Sequence, residues 1–190
     1  KLPLVLFQIP VKSYWYDPET ICRIAELENV VAFKEASFDI NLFTETMRQL
    51  ERNNSTMQVL TGNDRFVAES YQLGSSGALI GVANVATEKW AAMDLAAQAG
   101  DFARAMALQK ELEAIKDLVF SEPIVEAVAR IKIVLQHDGL IKTATVRRPQ
   151  LGINQTERNN LLHSYRSLKR NEFRTVEAEY SSGDGNRAVS

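Results

Sequence analysis

The stretch Val30-Val31-Ala32-Phe33-Lys34-Glu35-Ala36-Ser37, VVAFKEAS, runs four apolar residues straight into a lysine. A short continuous apolar run is the pattern of a strand covered on both faces, as in parallel sheets. Lys34 then stands at the carboxyl end of that strand, where α/β proteins open the crevice that holds ligands. An amine next to Val31 and Phe33 is desolvated, which lowers its pKa and frees the neutral nucleophile. Such a lysine can condense with a ketone to a Schiff base, whose protonated imine withdraws electrons from the neighbouring carbon–carbon bond. The plainer alternative is a solvated lysine at a strand end, paired with Glu35. Spacing alone leaves both open.

Working outward, the same rhythm repeats. Leu4 to Ile9 is another short apolar run, followed by Asp17-Pro18, an N-cap with proline at the first helical position. Ile21, Ile24, Ala25 and Leu27 give that helix an apolar stripe. After the Val30–Phe33 strand, Leu42, Phe43, Met47 and Leu50 mark a second helix ending near Asn53-Asn54. Met57 to Thr61 is a third strand, and Asp64 can cap a helix carrying Phe66, Val67 and Tyr71 until Gly74. Ala78 to Val82 is a fourth strand, and a helix follows from about Thr87 to Ala99. Four strand–helix units at the spacing of βα units predict parallel strands with covering helices. From Asp101 the pattern is helical only: a long segment through Phe120, one from Pro123 to about Gly139, and one from Thr156 to Arg170. The polar, Gly/Ser-rich end reads as a disordered tail over 171–190. Four βα units fit a small open sheet, or half of a β/α barrel, which closes eight strands in about 250 residues.

Composition excludes several classes. With 22 Lys+Arg against 24 Asp+Glu, the 190-residue chain carries no electrostatic footprint for nucleic acid. Cys22 is the single cysteine, so no internal disulfide forms and a reducing, cytoplasmic location is expected; its own place is an apolar helix face. No apolar run approaches the ~20 residues of a membrane span. His137 and His163 fall on separate helices and, with one cysteine, make no metal set. Ser75-Ser76 precedes a strand rather than a helix, so it reads as a turn and not a phosphate cradle.

Three motifs in order carry a resemblance: VVAFKEASFD, VLTGNDRF and LGSSGALIGVANVAT. Together they resemble the second half of the dihydrodipicolinate synthase/N-acetylneuraminate lyase family, class I aldolases on a β/α barrel that act on pyruvate or related 2-keto acids. The likeness runs from about residue 3 to 165, with Lys132 and Arg147…Pro149 fitting the family's helical C-terminal region. The resemblance implies that the fold is a TIM-type β/α barrel, present here as its second half (residues 1–100), with a helical extension over 101–170. It implies Lys34 as the Schiff-base lysine of an I-K-E-A motif. Gly62 and Asp64 match the glycine–aspartate loop, and Leu79, Ile80 and Gly81 match the G-x-I-[GS] stretch, with Leu79 where isoleucine is usual. Lys12 falls near the place of a carboxylate-binding arginine. No metal or organic cofactor is implied, because the imine itself carries the charge, and a homo-oligomer, dimer or tetramer, is expected.

Two departures follow. The family places Tyr-Asn-x-Pro before the lysine strand, and its tyrosine relays protons. This chain reads Phe7-Gln8-Ile9-Pro10, and phenylalanine neither donates nor accepts a proton. The relay is then absent, replaced by water, or supplied by Gln8 or Tyr14. The family's first four strands, with their Gly-Thr-Thr/Ser carboxylate loop, have no counterpart, so the sequence is expected to be part of a full barrel, or a half-barrel that pairs with a copy. Tyr14-Trp15-Tyr16 lines a substrate mouth or a subunit contact. The expected function is a lyase or aldolase on a small 2-keto acid. The alternatives are a dehydratase of a 2-keto-3-deoxy sugar acid by the same lysine, and a catalytically silent ligand-binding barrel, for which Phe7 argues.

Overall fold

Apolar runs become strands and capped stripes become helices in the expected alternation. The computed structural model describes residues 2–9 and 11–183, with side chains at all of these except residue 12 and residues 171–183. The chain divides into two compact units, residues 1–112 and 113–190. The first holds β1 (Leu4–Gln8), α1 (Pro18–Ala25), β2 (Val30–Glu35), α2 (Ile40–Arg52), β3 (Gln58–Thr61), α3 (Val67–Gln72), β4 (Gly77–Ala78) and α4 (Thr87–Gln98). Helix α5 (Phe102–Val119) crosses the division, and α6 (Ala127–His137) and α7 (Gln155–Gly183) complete the second unit.

The four strands are parallel and lie in the order β1-β2-β3-β4. A doubly wound open sheet reverses its strand order at a switch point and carries helices on both faces. Here the order never reverses, and among the described residues of the first unit the helices cover one face only. Phe33, Val59 and the partly buried Leu6 point into that helix layer, packing with Ile21, Phe43, Leu50, Met57 and Phe66. Phe43 and Phe66 meet edge to face, centroids 6.1 Å apart. On the opposite face, Val5 is 55% and Phe7 50% exposed. Sequential parallel strands with a single helical layer are a segment of a β/α barrel. The open-sheet alternative is thereby removed, and β1 is an edge strand with an exposed apolar face.

Local chemistry sets the element ends. The Asp17 carboxylate accepts from the Thr20 amide at 2.8 Å and opens α1, as its sequence predicts. Asp39 does the same for α2 through the amides of Asn41 and Leu42. Gly74, with φ of +100°, ends α3 in a conformation that a side chain would resist. The expected cap at Asp64 is a correction: α3 begins after Phe66, with no side-chain cap, because the Asp64 carboxylate instead accepts from the Val82 amide at 2.9 Å. The fourth strand is also shorter than expected. The sequence predicts Ala78–Val82, but β4 ends at Ala78, and Val82–Asn84 turns as a 3-10 helix.

Asp101, in the first unit, caps α5 through the Arg104 amide. Asn154 and Glu157 form a reciprocal capping box at the start of α7. Helix α7 runs past the expected end at Arg170 to Gly183, and residues 184–190 of the expected tail lie outside the described residues. Among the described residues, no helix is long and apolar enough to cross a membrane.

Phe33 has no exposed surface and anchors the helix layer. Phe33→Ala should therefore lower unfolding stability by about 3–5 kcal/mol, read from the midpoint of urea unfolding at constant slope.

Candidate active site

Alternation along a strand sends successive side chains to opposite faces. In β2 this parity separates two adjacent ionisable residues. Lys34 points to the face opposite the first unit's helix layer, in a row set by the strand register: Phe7, Lys34, Leu60 and Gly77. Glu35 points the other way and is completely buried. The alternative of a Lys34–Glu35 surface pair is thereby excluded.

The Lys34 side chain is half-buried, with Nζ 4.3 Å from the centroid of the Phe7 ring. Its pKa is lowered from the ordinary lysine value, first by burial, against which the Asp64 carboxylate raises it. Asp64 is itself buried, and burial raises its pKa while the amides of Val82 and Gly81 and the Lys34 charge hold it down. A cation over an aromatic face is attracted to the ring, so Phe7 and Asp64 favour the charged amine and burial favours the neutral one.

Glycines make room for the lysine. A methyl group at Gly62 would lie 2.9 Å from Lys34 Cε and 2.7 Å from Ala36 Cβ, with the Glu35 carbonyl oxygen at 3.2 Å. The first two contacts are closer than Cβ atoms come, so a side chain there must displace Ala36 or the lysine stem, and the Gly62 amide is held by that same Glu35 carbonyl at 2.6 Å. At the other end of the row, a methyl at Gly77 would press on Leu60 at 3.2 Å.

The structure thus brings Lys34, Phe7, Gly62 and Asp64 together, with Gly81 joined through its interaction with Asp64. Leu79 follows Gly77 by two residues, is exposed, and donates its amide to the Thr61 carbonyl at 2.8 Å. Ile80 is half-buried, on the turn before Gly81. The side chain of Lys12 lies outside the described residues, though its backbone opens a 3-10 turn, Lys12–Tyr14. Of the two substitutes for the missing tyrosine, Gln8 is ruled out as a relay: it points into the helix layer and is bonded to Glu35 and to the Tyr16 amide. Tyr14 is 67% exposed on that turn. Trp15 donates its indole N–H to the Ile9 carbonyl, and Tyr16 packs against the core. The aromatic cluster is therefore divided between surface and core. His137 and His163 are exposed on α6 and α7.

Sequence reasoning missed the buried polar layer behind the lysine: Gln8, Glu35, Asn63 and Thr61 are all nearly or completely inaccessible. The available signal was a polar residue at the carboxyl end of each of three consecutive apolar strands.

Comparisons with known proteins agree on one group. The profile of the Dihydrodipicolinate synthetase family matches residues 1–167. The 4-hydroxy-tetrahydrodipicolinate synthase 2 of Clostridium acetobutylicum is 30% identical over 161 residues, which are 84% of this chain and 54% of that protein. A solved dihydrodipicolinate synthase from Thermotoga maritima superposes with a TM-score of 0.78 at 24% identity, over 88% of this chain and 56% of the other. The chloride-inhibited dihydrodipicolinate synthase of Acinetobacter baumannii, complexed with pyruvate, superposes with a TM-score of 0.75 at 26% identity, over 89% and 56%. The chain spans about half the length of these relatives.

Two substitutions probe the geometry. Asp64→Asn removes the charge that holds the Lys34 pKa up, so the pH profile for arylation of Lys34 by a neutral aryl fluoride should move to lower pH. Gly62→Ala should displace the lysine stem and slow reaction at Lys34 with a bound electrophile by up to about 10²-fold, the cost of misplacing a reacting group by about 1 Å.

Proposed function

The chain belongs to the dihydrodipicolinate synthetase family, and from that premise we propose that it is a Schiff-base lyase acting on pyruvate or another small 2-keto acid, with Lys34 as nucleophile. The observation that carries this reading is the half-buried amine at the carboxyl end of a parallel strand, with its pKa lowered by burial. The neutral fraction of Lys34 attacks the keto carbon, a carbon–nitrogen bond forms, and the carbonyl oxygen leaves as water. The resulting iminium acidifies the adjacent carbon. Loss of a proton there gives an enamine, which adds to an electrophilic carbon, and hydrolysis returns the free lysine. The reverse sequence cleaves the same carbon–carbon bond. Gly62 leaves space for the lysine stem, Asp64 balances the cation, and Leu79, Ile80 and Gly81 border the pocket. Lys12 is placed by sequence near the substrate carboxylate, as a point charge without the bidentate fork of arginine. The same reading takes the cytoplasm as compartment and a homo-oligomer as the assembled form.

Phe7 favours a second reading, a ligand-binding barrel without turnover. A phenyl ring beside the amine can hold a cation but cannot move a proton.

The two readings separate in one experiment. Borohydride reduction with pyruvate, or with a longer 2-keto acid, should trap an adduct on Lys34. Lys34→Ala should abolish it, and so should Lys34→Arg, since a guanidinium stays protonated. Turnover should be slowed by about 10²–10⁴-fold for want of the phenol, on the usual scale of general acid–base catalysis. Phe7→Tyr should recover part of that loss. A folded protein that traps no adduct with any 2-keto acid leaves the ligand-binding reading standing.

A further inference from the structure

Behind Lys34, three neutral donors converge on a carboxylate that has no exposed surface. Glu35 Oε1 accepts from Gln8 Nε2 at 2.9 Å and from the Ser37 amide at 3.1 Å. Its Oε2 accepts from Asn63 Nδ2 at 2.6 Å, and the same amide group also donates to the Glu35 main-chain carbonyl at 3.1 Å. The two carboxamides cannot turn around. The Tyr16 amide donates to Gln8 Oε1 at 2.7 Å, and the Phe38 amide donates to Asn63 Oδ1 at 2.7 Å. Flipping either carboxamide would set N–H against N–H at its backbone end and oxygen against carboxylate oxygen at Glu35. A backbone N–H at each end therefore fixes the direction of the whole relay, and both NH₂ groups must face residue 35. Only a side chain that accepts on both oxygens completes it. A carboxylate does so; a carboxamide of the same shape does not.

The relay joins the residues that surround the lysine. Gln8 adjoins Phe7, whose ring lies under Lys34 Nζ. Asn63 lies between Gly62, which clears the lysine stem, and Asp64, whose charge acts on the amine. Glu35 is the residue after Lys34 itself. One carboxylate thus ties together the ends of β1 and β2 and the loop after β3, from the face opposite the amine. We infer that Glu35 is a positioning residue, which sets the geometry of Phe7, Gly62 and Asp64 around Lys34 through the fixed polarity of Gln8 and Asn63. It touches no reacting atom. The inference rests on the Schiff-base reading of Lys34.

The test is a polarity swap. Glu35→Gln opposes NH₂ to NH₂ at Gln8 or at Asn63. It should slow borohydride-trappable adduct formation with pyruvate by about tenfold or more, and should speed amide hydrogen exchange at Tyr16 or Phe38, the two ends of the relay. The double variant Gln8→Glu with Glu35→Gln keeps the net charge and restores a donor–acceptor pair between positions 8 and 35, although the Ser37 amide loses its acceptor. It should recover part of both losses, whereas a merely steric role would make the second substitution add to the first. If Glu35→Gln does not fold, Gln8→Leu empties one arm, leaves the other donors in place and reads the same rate. A wild-type adduct rate in folded Glu35→Gln or in Gln8→Leu, or a double variant slower than the single, overturns the inference and leaves the Schiff-base reading intact. Absence of the adduct in the unaltered protein overturns both.

Discussion

A carboxylate taken out of water must be supplied with hydrogen-bond donors by its neighbours, since an isolated buried charge costs many times what one hydrogen bond returns. Glu35 imposes that condition on the whole carboxyl end of the sheet. Its donors come from β1, from the loop after β3 and from the chain immediately after β2. Asn63 in turn donates its main-chain amide to Thr61 Oγ1 at 3.2 Å, and Thr61 Oγ1 is hydrogen bonded to Ser70 Oγ. Thr61 also donates its amide to Ser75 Oγ at 3.1 Å. The polar layer therefore reaches from the first strand to the segment leading into the fourth. Parallel strands have no hairpin to set their relative heights, and here side chains between strand ends supply that constraint in addition to the backbone ladder.

Given that layer, the placement of Lys34 is a matter of parity. If residue 35 is committed to the helix side, residue 34 must face the opposite side. The helices do not cover that side, so the amine is only half-buried while its neighbour is wholly so. The glycines then decide how close the backbone comes. Gly62 is pulled onto β2 by the Glu35 carbonyl, and a side chain there fits only by displacing its neighbours. Buried carboxylate, exposed-face amine and tight glycine are three expressions of one register.

Much of this was legible in the sequence. The alternation of apolar runs with capped amphipathic segments indicated four βα units, and the lysine at the end of an apolar run indicated the candidate nucleophile. Asp17, Gly74 and Asp101 were readable as punctuation because their roles depend on the adjacent residues. Asp64 was not: its position invited a helix cap, yet its carboxylate meets the amide of Val82, eighteen residues away in the chain, a contact no local pattern encodes. Glu35 was misjudged as the possible partner of Lys34 because adjacency in sequence suggests contact, while strand geometry forbids it. One-faced and two-faced helix cover are also not distinguished by local pattern, since β1 and β2 show similar apolar runs although the first unit's helices pack on one face of the sheet.

The balance around Lys34 acquires a direction once the proposed iminium is compared with the ammonium. Both are cations, so the Asp64 charge and the Phe7 ring favour each of them over the neutral amine. They differ in hydration. An ammonium is a compact charge with three N–H donors, and burial strips it of the water that stabilises it most. An iminium spreads its charge over carbon and nitrogen, carries fewer donors and loses less on leaving water. A half-dry pocket with one carboxylate and one aromatic face therefore penalises the resting cation more than the covalent one. Under the proposed reaction, the features that lower the Lys34 pKa and those that oppose the fall are not in conflict: burial would release the nucleophile, and Asp64 and Phe7 would hold the cation that the nucleophile becomes. Phenylalanine at position 7 meets that second demand as well as a tyrosine ring would, and omits only the hydroxyl, so in the proposed reaction its effect would fall on the proton transfers after imine formation.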